Sequence, residues 1–256
     1  MFQGDFCRYE FKFPVTYDIM DRMVDDLAPY VETDKNGNAY GYYTISSLYF
    51  DNDRRECFYE TVNRDRFRQK LRLRVYGAAG GDSMSFFEIK SKLNGLVMKR
   101  RTRLPLRDAA AFAQSCMALP AAGTAYAEEA LPDFSAYHAS SPQVLREICR
   151  LIRLKELKPK NVVSYDRMAL FSREDPELRI TFDVNIRTRD TELDLTAGSY
   201  GQPRIPEKTA VLEVKTGKDI PYWLVKILAE YRYRNQTFSK YCSHYEDAAL
   251  LQSRNG

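Results

Sequence analysis

Apolar and charged residues alternate one for one along much of the chain, most plainly in Lys70-Leu71-Arg72-Leu73-Arg74-Val75-Tyr76. Successive side chains of a strand point to opposite faces, so Arg68, Lys70, Arg72 and Arg74 share one face and Leu71, Leu73 and Val75 the other. The same period predicts strands over 8–13, ended by Pro14, and over 85–92, 96–104, 162–171, 177–184 and 209–215. A β-branched and aromatic run predicts a further strand over 40–51. Asn94-Gly95 is a hairpin signal between two of these strands. Helical spacing of Ile19, Met23 and Leu27 predicts a helix over 17–30 with Thr16 as its N-cap. Other helices are expected over 107–117, over 143–154 and from Pro221 onward. Residues 53–63 read as a short helix or loop, and 119–142 and 187–206 as irregular.

About eight strands emerge, most with charge on one face. For any one of them the simplest reading is a solvated face over an apolar core, since charged side chains are seldom fully buried. A second reading is that the charged faces converge. An antiparallel sheet curled into a barrel places charge inside and apolar residues outside, under amphipathic helices, and about eight strands leave room inside for one ligand. Such an interior requires a polyanion, because buried unpaired cations are costly. Arg matches phosphate oxygens with a planar fork, and Lys with a point charge. Glu10, Glu88, Asp183 and Glu213 would then pair with the cations or hold a divalent metal among phosphates.

Composition narrows this only slightly. The chain has 256 residues, with 39 basic and 35 acidic side chains and a net charge of +4. That balance weakly favours an anionic partner. The 18 Tyr and 14 Phe suit a strand-rich fold. Cys7, Cys57, Cys116, Cys149 and Cys242 are scattered without a CxxC pair, which argues against a disulfide framework or zinc site and for a reducing compartment. The N-terminus has no leader pattern and no apolar run approaches the ~20 residues of a membrane span. A cytoplasmic location is expected.

Taken in order, Arg8-Tyr9-Glu10-Phe11-Lys12, Leu71-Arg72-Leu73-Arg74, Glu88-Ile89-Lys90, Lys99-Arg100-Arg101-Thr102, Tyr165-Asp166-Arg167, Arg179-Ile180-Thr181-Phe182-Asp183, Leu212-Glu213-Val214-Lys215 and Phe238-Ser239-Lys240-Tyr241 resemble the catalytic domain of the vacuolar transporter chaperone (VTC) family. That family is a polyphosphate polymerase branch of the triphosphate tunnel metalloenzymes. The resemblance implies an α+β fold: an eight-stranded antiparallel β-barrel, the triphosphate tunnel, with flanking helices, forming one domain over 1–256 with a core of about 8–245. It implies transfer of the terminal phosphoryl of ATP to a growing polyphosphate chain. Lys12, Arg72, Arg74, Lys90, Arg167, Arg179 and Lys215 would line the tunnel as catalytic phosphate ligands. Lys92, Lys99 and Arg101 would add phosphate contacts, with Ser239 and Lys240 near a mouth. Glu213 would hold Mn²⁺ or Mg²⁺, with Glu10, Glu88 and Asp183 as further metal candidates. ATP, pyrophosphate and polyphosphate are the implied partners, and nucleic acid is disfavoured. A membrane partner protein and the oligomeric state are left open.

Related tunnel hydrolases and cyclases begin with Glu-x-Glu-x-Lys, whereas Arg8 stands at the first acidic position here. The departure fits a tunnel built for a longer polyanion better than a general triphosphatase. Triphosphate hydrolysis and non-catalytic polyphosphate sensing remain as alternatives. His138, His244 and Cys242 have no evident catalytic partner, and no Gly-rich phosphate loop is present. The basic–aromatic run Tyr231-Arg232-Tyr233-Arg234 is a minor nucleic-acid signal. If the cationic faces repel one another, Arg72→Ala or Arg179→Ala should abolish most activity and spare the fold.

Overall fold

The computed structural model describes residues 9–94, 96–119, 133–217, 219–232 and 238–245. Arg8, Cys7, Gly95, most of the 119–142 excursion and Tyr233–Gln236 of the basic–aromatic run lie outside them. In chain order the elements are β1 Tyr9–Thr16, α1 Tyr17–Leu27, β2 Val31–Thr33, β3 Tyr42–Asp51, α2 Glu56–Val62, β4 Phe67–Tyr76, β5 Met84–Leu93, β6 Leu96–Pro105, α3 Leu106–Ala118, α4 Pro142–Lys155, β7 Lys158–Ser172, β8 Arg179–Arg189, β9 Gln202–Pro203, β10 Thr209–Thr216 and α5 Tyr222–Glu230.

The fold is α+β, as expected, but the closed eight-stranded barrel is not found. Ten strands join one sheet in the order β1-β10-β8-β7-β3-β4-β5-β6, with β2 added to β7 and β9 to β8. β1 and β6 end the path, and no pairing joins them among the described residues. Pro14 does not end β1, as expected from sequence, but lies within it, in register with Val211. Proline is tolerated there because β1 is an edge strand, and its missing N–H leaves β1 ill suited to a second neighbour. β8 also runs on through Arg189, into the stretch read as irregular.

By compactness the chain falls into two units: Ser46–Val163 with Arg189–Ser199, and Phe6–Ile45 with Ser164–Thr188 and Tyr200–Gly256. In the first, β4, β5 and β6 form an antiparallel meander in the register Arg72↔Glu88↔Arg101. The opposite face carries Leu71, Leu73, Phe87 and Leu104, all buried, and α3 and α4 lie against β5 and β6. Phe112 of α3 meets Phe87, Phe134 and Tyr137 with ring centroids 6.1, 5.8 and 5.3 Å away. Ser141 caps α4, accepting from the Val144 N–H, and Pro142 opens it, where a proline ring fits the first turn.

In the second unit α1 packs on β1 and β10 and also against α5. Met20, Met23 and Leu27 of α1 join Phe13, Ile180, Phe182, Leu212, Val214 and Leu224 in one apolar cluster. Tyr30 stacks on Trp223 at 4.4 Å with an interplanar angle of 2°. Thr16 stands at the N-cap of α1 as expected, but its hydroxyl makes no cap bond.

Phe112 is the aromatic hub of the first unit and is wholly buried. Phe112→Ala should lower unfolding free energy by about 3–5 kcal/mol, read from the urea midpoint with an unchanged slope.

A candidate phosphate-binding site in buried ion-pair clusters

The solvated-face reading fails for the carboxylates and for the cations buried beside them. Glu88 is 1% exposed, Asp183 0% and Glu213 5%, and Arg74, Arg167 and Lys240 are buried beside them. On β4, β8 and β10 the charged residues of this face are mostly buried or half-buried, whereas Lys99, Arg101 and Arg103 of β6 are exposed. The charges gather in two clusters, one in each unit.

In the first unit, cross-strand register builds the charged face, since residues directly opposite project the same way. β4 contributes Arg68, Lys70, Arg72 and Arg74, β5 Lys90 and Lys92, and β6 Lys99, Arg101 and Arg103: nine cations around the carboxylate of Glu88. Arg72 Nε donates to Glu88 Oε2 at 2.7 Å and Arg72 NH1 to the Tyr49 hydroxyl at 3.2 Å. Arg74 Nε donates to Ser47 Oγ at 3.1 Å, and Lys99 Nζ lies 3.6 Å from Glu88 Oε1. Lys70, Lys90 and Lys99 form one row across three strands. Lys90 and Lys92 are half-buried, and Arg101 is exposed with its guanidinium 5.3 Å from the Phe86 ring centre.

Burial alone would push the Glu88 carboxyl up, but Arg72, Arg74 and Lys99 outweigh it and hold the group well below the ordinary carboxylate range. Tyr49 obeys the same balance. Burial raises its phenol, Arg72 and Arg74 lower it further, and it settles at about 8. Desolvation, opposed by Glu88, draws the Lys99 ammonium down to about 8, a push that water moderates because 45% of the side chain is exposed.

In the second unit, four cations surround two carboxylates. Arg167 grips Asp183 with both prongs of its fork, Nε to Oδ1 at 2.6 Å and NH2 to Oδ2 at 2.7 Å, and NH2 reaches Glu213 Oε2 at 3.4 Å. Lys215 Nζ donates to Glu213 Oε2 at 2.7 Å and Lys240 Nζ to Oε1 at 2.6 Å. Lys240 Nζ is 2.5 Å from Asp183 Oδ2, and Lys12 Nζ is 3.4 Å from Glu213 Oε1 while it donates to the Phe238 carbonyl at 2.9 Å. Tyr165 lies beneath Lys240 and Arg167, its ring centre 4.9 and 5.2 Å away. Burial raises Glu213, but Lys215, Lys240, Lys12 and Arg167 hold it far below its usual range. Burial likewise raises Asp183, and Arg167 and Lys240 bring it down. Lys215 is drawn to about 8 by desolvation against the pull of Glu213.

The other expected residues take separate places. Arg179 donates from NH2 to the Tyr43 hydroxyl at 2.9 Å and lies 3.6 Å from Asp34. Glu10 is half-buried opposite Lys215. Ser239 Oγ accepts from the Cys242 N–H at 3.3 Å. His138 meets Asp108, and His244 meets Thr188. Tyr231, from the basic–aromatic run, donates to Asp26. Tyr49, Ser47, Tyr43 and Asp34 were not expected at the site. They lie in stretches without cationic alternation, and only tertiary packing brings them to the arginines.

As placed, the carboxylates do not fit a divalent ion. All four oxygens of Glu213 and Asp183 already meet ammonium or guanidinium groups. No group of three His, Cys, Asp or Glu suited to a metal occurs among the described residues. The expected metal set of Glu213 with Glu10, Glu88 and Asp183 is therefore not assembled. No helix among the described residues is long and apolar enough to cross a membrane.

A sheet whose charged faces bury arginines and lysines around saturated carboxylates is the setting for an oxyanion ligand. The VTC domain model matches residues 7–248, so the chain belongs to the VTC-domain family. Among solved structures it is similar to the Hippeastrum protein HpAC1, described as a candidate adenylyl cyclase with a dominant triphosphatase activity. The two are 13% identical, the match covers 96% of each chain, and the TM-score is 0.46. No curated protein matches the chain.

The Arg72–Glu88 contact revises the expectation that Arg72→Ala spares the fold. Removing Arg72 strands a buried carboxylate, so Arg72→Ala should cost about 3–5 kcal/mol, and adding Glu88→Gln should recover part of the loss in urea unfolding. Acid has a similar effect. A carboxyl depressed by folding stabilises above its ordinary value, 4.5 for Glu88 and Glu213, and that contribution is lost as pH falls below it. Melting temperature should be nearly flat from pH 7 to about 5 and fall steeply below about 4, less steeply in Glu88→Gln.

Proposed function

We propose that this VTC domain is a polyphosphate polymerase that moves the terminal phosphoryl of ATP onto a phosphate chain and releases ADP. The observation that carries the reading is the nine-cation strand face with its one carboxylate, a charge excess that a polyanion would neutralise. In the reaction, a terminal oxygen of the chain attacks the γ-phosphorus of ATP, one P–O bond forms, and the bond to the β-phosphate oxygen breaks. Phosphoryl transfer of this kind relies on positioning and charge stabilisation rather than covalent help from the protein. Arg72, Arg74, Lys90 and Lys99 are the cations proposed for that work in the first unit; Lys12, Arg167, Arg179, Lys215 and Lys240 are proposed as a separate phosphate-binding set within the second. Lys92 and Arg101 extend the first set, and Ser239 adjoins the second.

Transfer is favoured over hydrolysis by the state of the carboxylates. Hydrolysis needs a base or metal to activate water. Glu88, Asp183 and Glu213 are held deprotonated by cations that occupy their oxygens, which makes them weak bases. A phosphate-chain end is already anionic at neutral pH and needs no base. Family membership, rather than this donor set, supports a Mn²⁺ or Mg²⁺ requirement.

Purified protein with ATP and Mn²⁺, with and without pyrophosphate as primer, should form acid-insoluble phosphate polymer; absence of polymer under both conditions ends this reading. Release of orthophosphate from tripolyphosphate without chain growth would assign hydrolysis instead. Tight polyphosphate binding with no turnover would assign sensing. Arg101 is exposed and makes no ion pair with the buried carboxylates among the described residues, so Arg101→Gln should leave melting nearly unchanged and weaken polyphosphate binding roughly tenfold, about 1.4 kcal/mol.

A further inference from the structure

Thr181 stands between Arg179 and Asp183 on β8. Its neighbours Ile180 and Phe182 point into the apolar cluster, so Thr181 projects to the charged face. Directly across the sheet is Glu213, and beyond that Lys12. Thr181 is fully buried, yet its hydroxyl makes no hydrogen bond among the described residues. Valine would fill the same shape without the cost of a buried, unmatched hydroxyl. Two residues away, about 7 Å along the strand, Arg179 shows the same condition: its Nε is buried without a partner among the described residues. The Arg179 terminal nitrogen donates to Tyr43, and the guanidinium lies over the Phe171 ring, 4.7 Å from its centre. Two orphaned donors thus share one face of one strand, and Lys215 stands opposite Arg179. Donors without acceptors, next to cations, call for an anionic ligand rich in acceptor oxygens.

We propose that Thr181 is a substrate-contacting residue whose hydroxyl donates a hydrogen bond to an oxygen of a bound inorganic phosphate chain, with Arg179 Nε serving an adjacent oxygen. This rests on reading the cluster as a phosphate site. A neutral donor fixes where an oxygen sits and adds no charge. Loss of the Thr181 hydroxyl therefore weakens binding without changing how binding responds to salt, whereas loss of a lysine changes both.

The test is calorimetric binding of tripolyphosphate to the full chain at two salt concentrations, for the wild type, Thr181→Val and Thr181→Ser. Thr181→Val should bind about tenfold more weakly, with an unchanged salt slope, and its ligand-free melting temperature should equal or exceed that of the wild type. Thr181→Ser should restore most of the affinity. Wild-type affinity in Thr181→Val overturns the contact, as does a fall of several degrees in its ligand-free melting temperature, which would make the hydroxyl structural. If the wild type itself binds no tripolyphosphate, the phosphate reading of the cluster falls, and this role falls with it.

Discussion

The fold depends on neutralising charge that has been taken out of water. Glu88, Asp183 and Glu213 are buried, and each is stable as an anion only because cations stand within about 2.5–3.6 Å of it. Removing two charges from solvent is expensive, and good geometry only roughly offsets the cost. Apolar residues of the same size would make a more stable sheet. These clusters are the ground on which a phosphate-binding role is proposed.

The two clusters differ in balance. Around Asp183 and Glu213, four cations meet two carboxylates through short bonds, and Lys215 is drawn to about 8. Around Glu88 the cations far outnumber the acid, and Lys70, Lys90 and Lys99 stand in one row across three strands. Like charges placed directly across a sheet repel. The first arrangement sets a cation against every carboxylate oxygen, whereas the second carries the larger excess of positive charge.

Much of the fold was legible because a strand with two different faces writes a period of two into its sequence. Strands at β4, β5, β6, β8 and β10 follow from that period, and α1 and α4 from their helical spacing. β5 ends at Leu93 and β6 begins at Leu96, on either side of the Asn94-Gly95 signal. Other features were not legible. The Pro14 stop gave way because an edge strand does not need the missing N–H. Barrel closure was inferred from strand number, whereas closure depends on whether the end strands pair. β2 and β9 are too short to leave a pattern.

The alternating period determined which residues share a face, and so it grouped Arg72 with Arg74 and Arg179 with Asp183 from the sequence alone. It could not say whether that face meets water, because a solvated face and a buried ionic face have the same period. Tertiary structure decided that point by bringing together residues distant in the chain: Lys240 to Asp183, Lys12 to Glu213, and Tyr49 to Arg72. It also made Glu213 a partner of ammonium groups rather than part of a ready metal set. A carboxylate's role is set by the charges within a few ångströms of it, and sequence spacing does not record those distances.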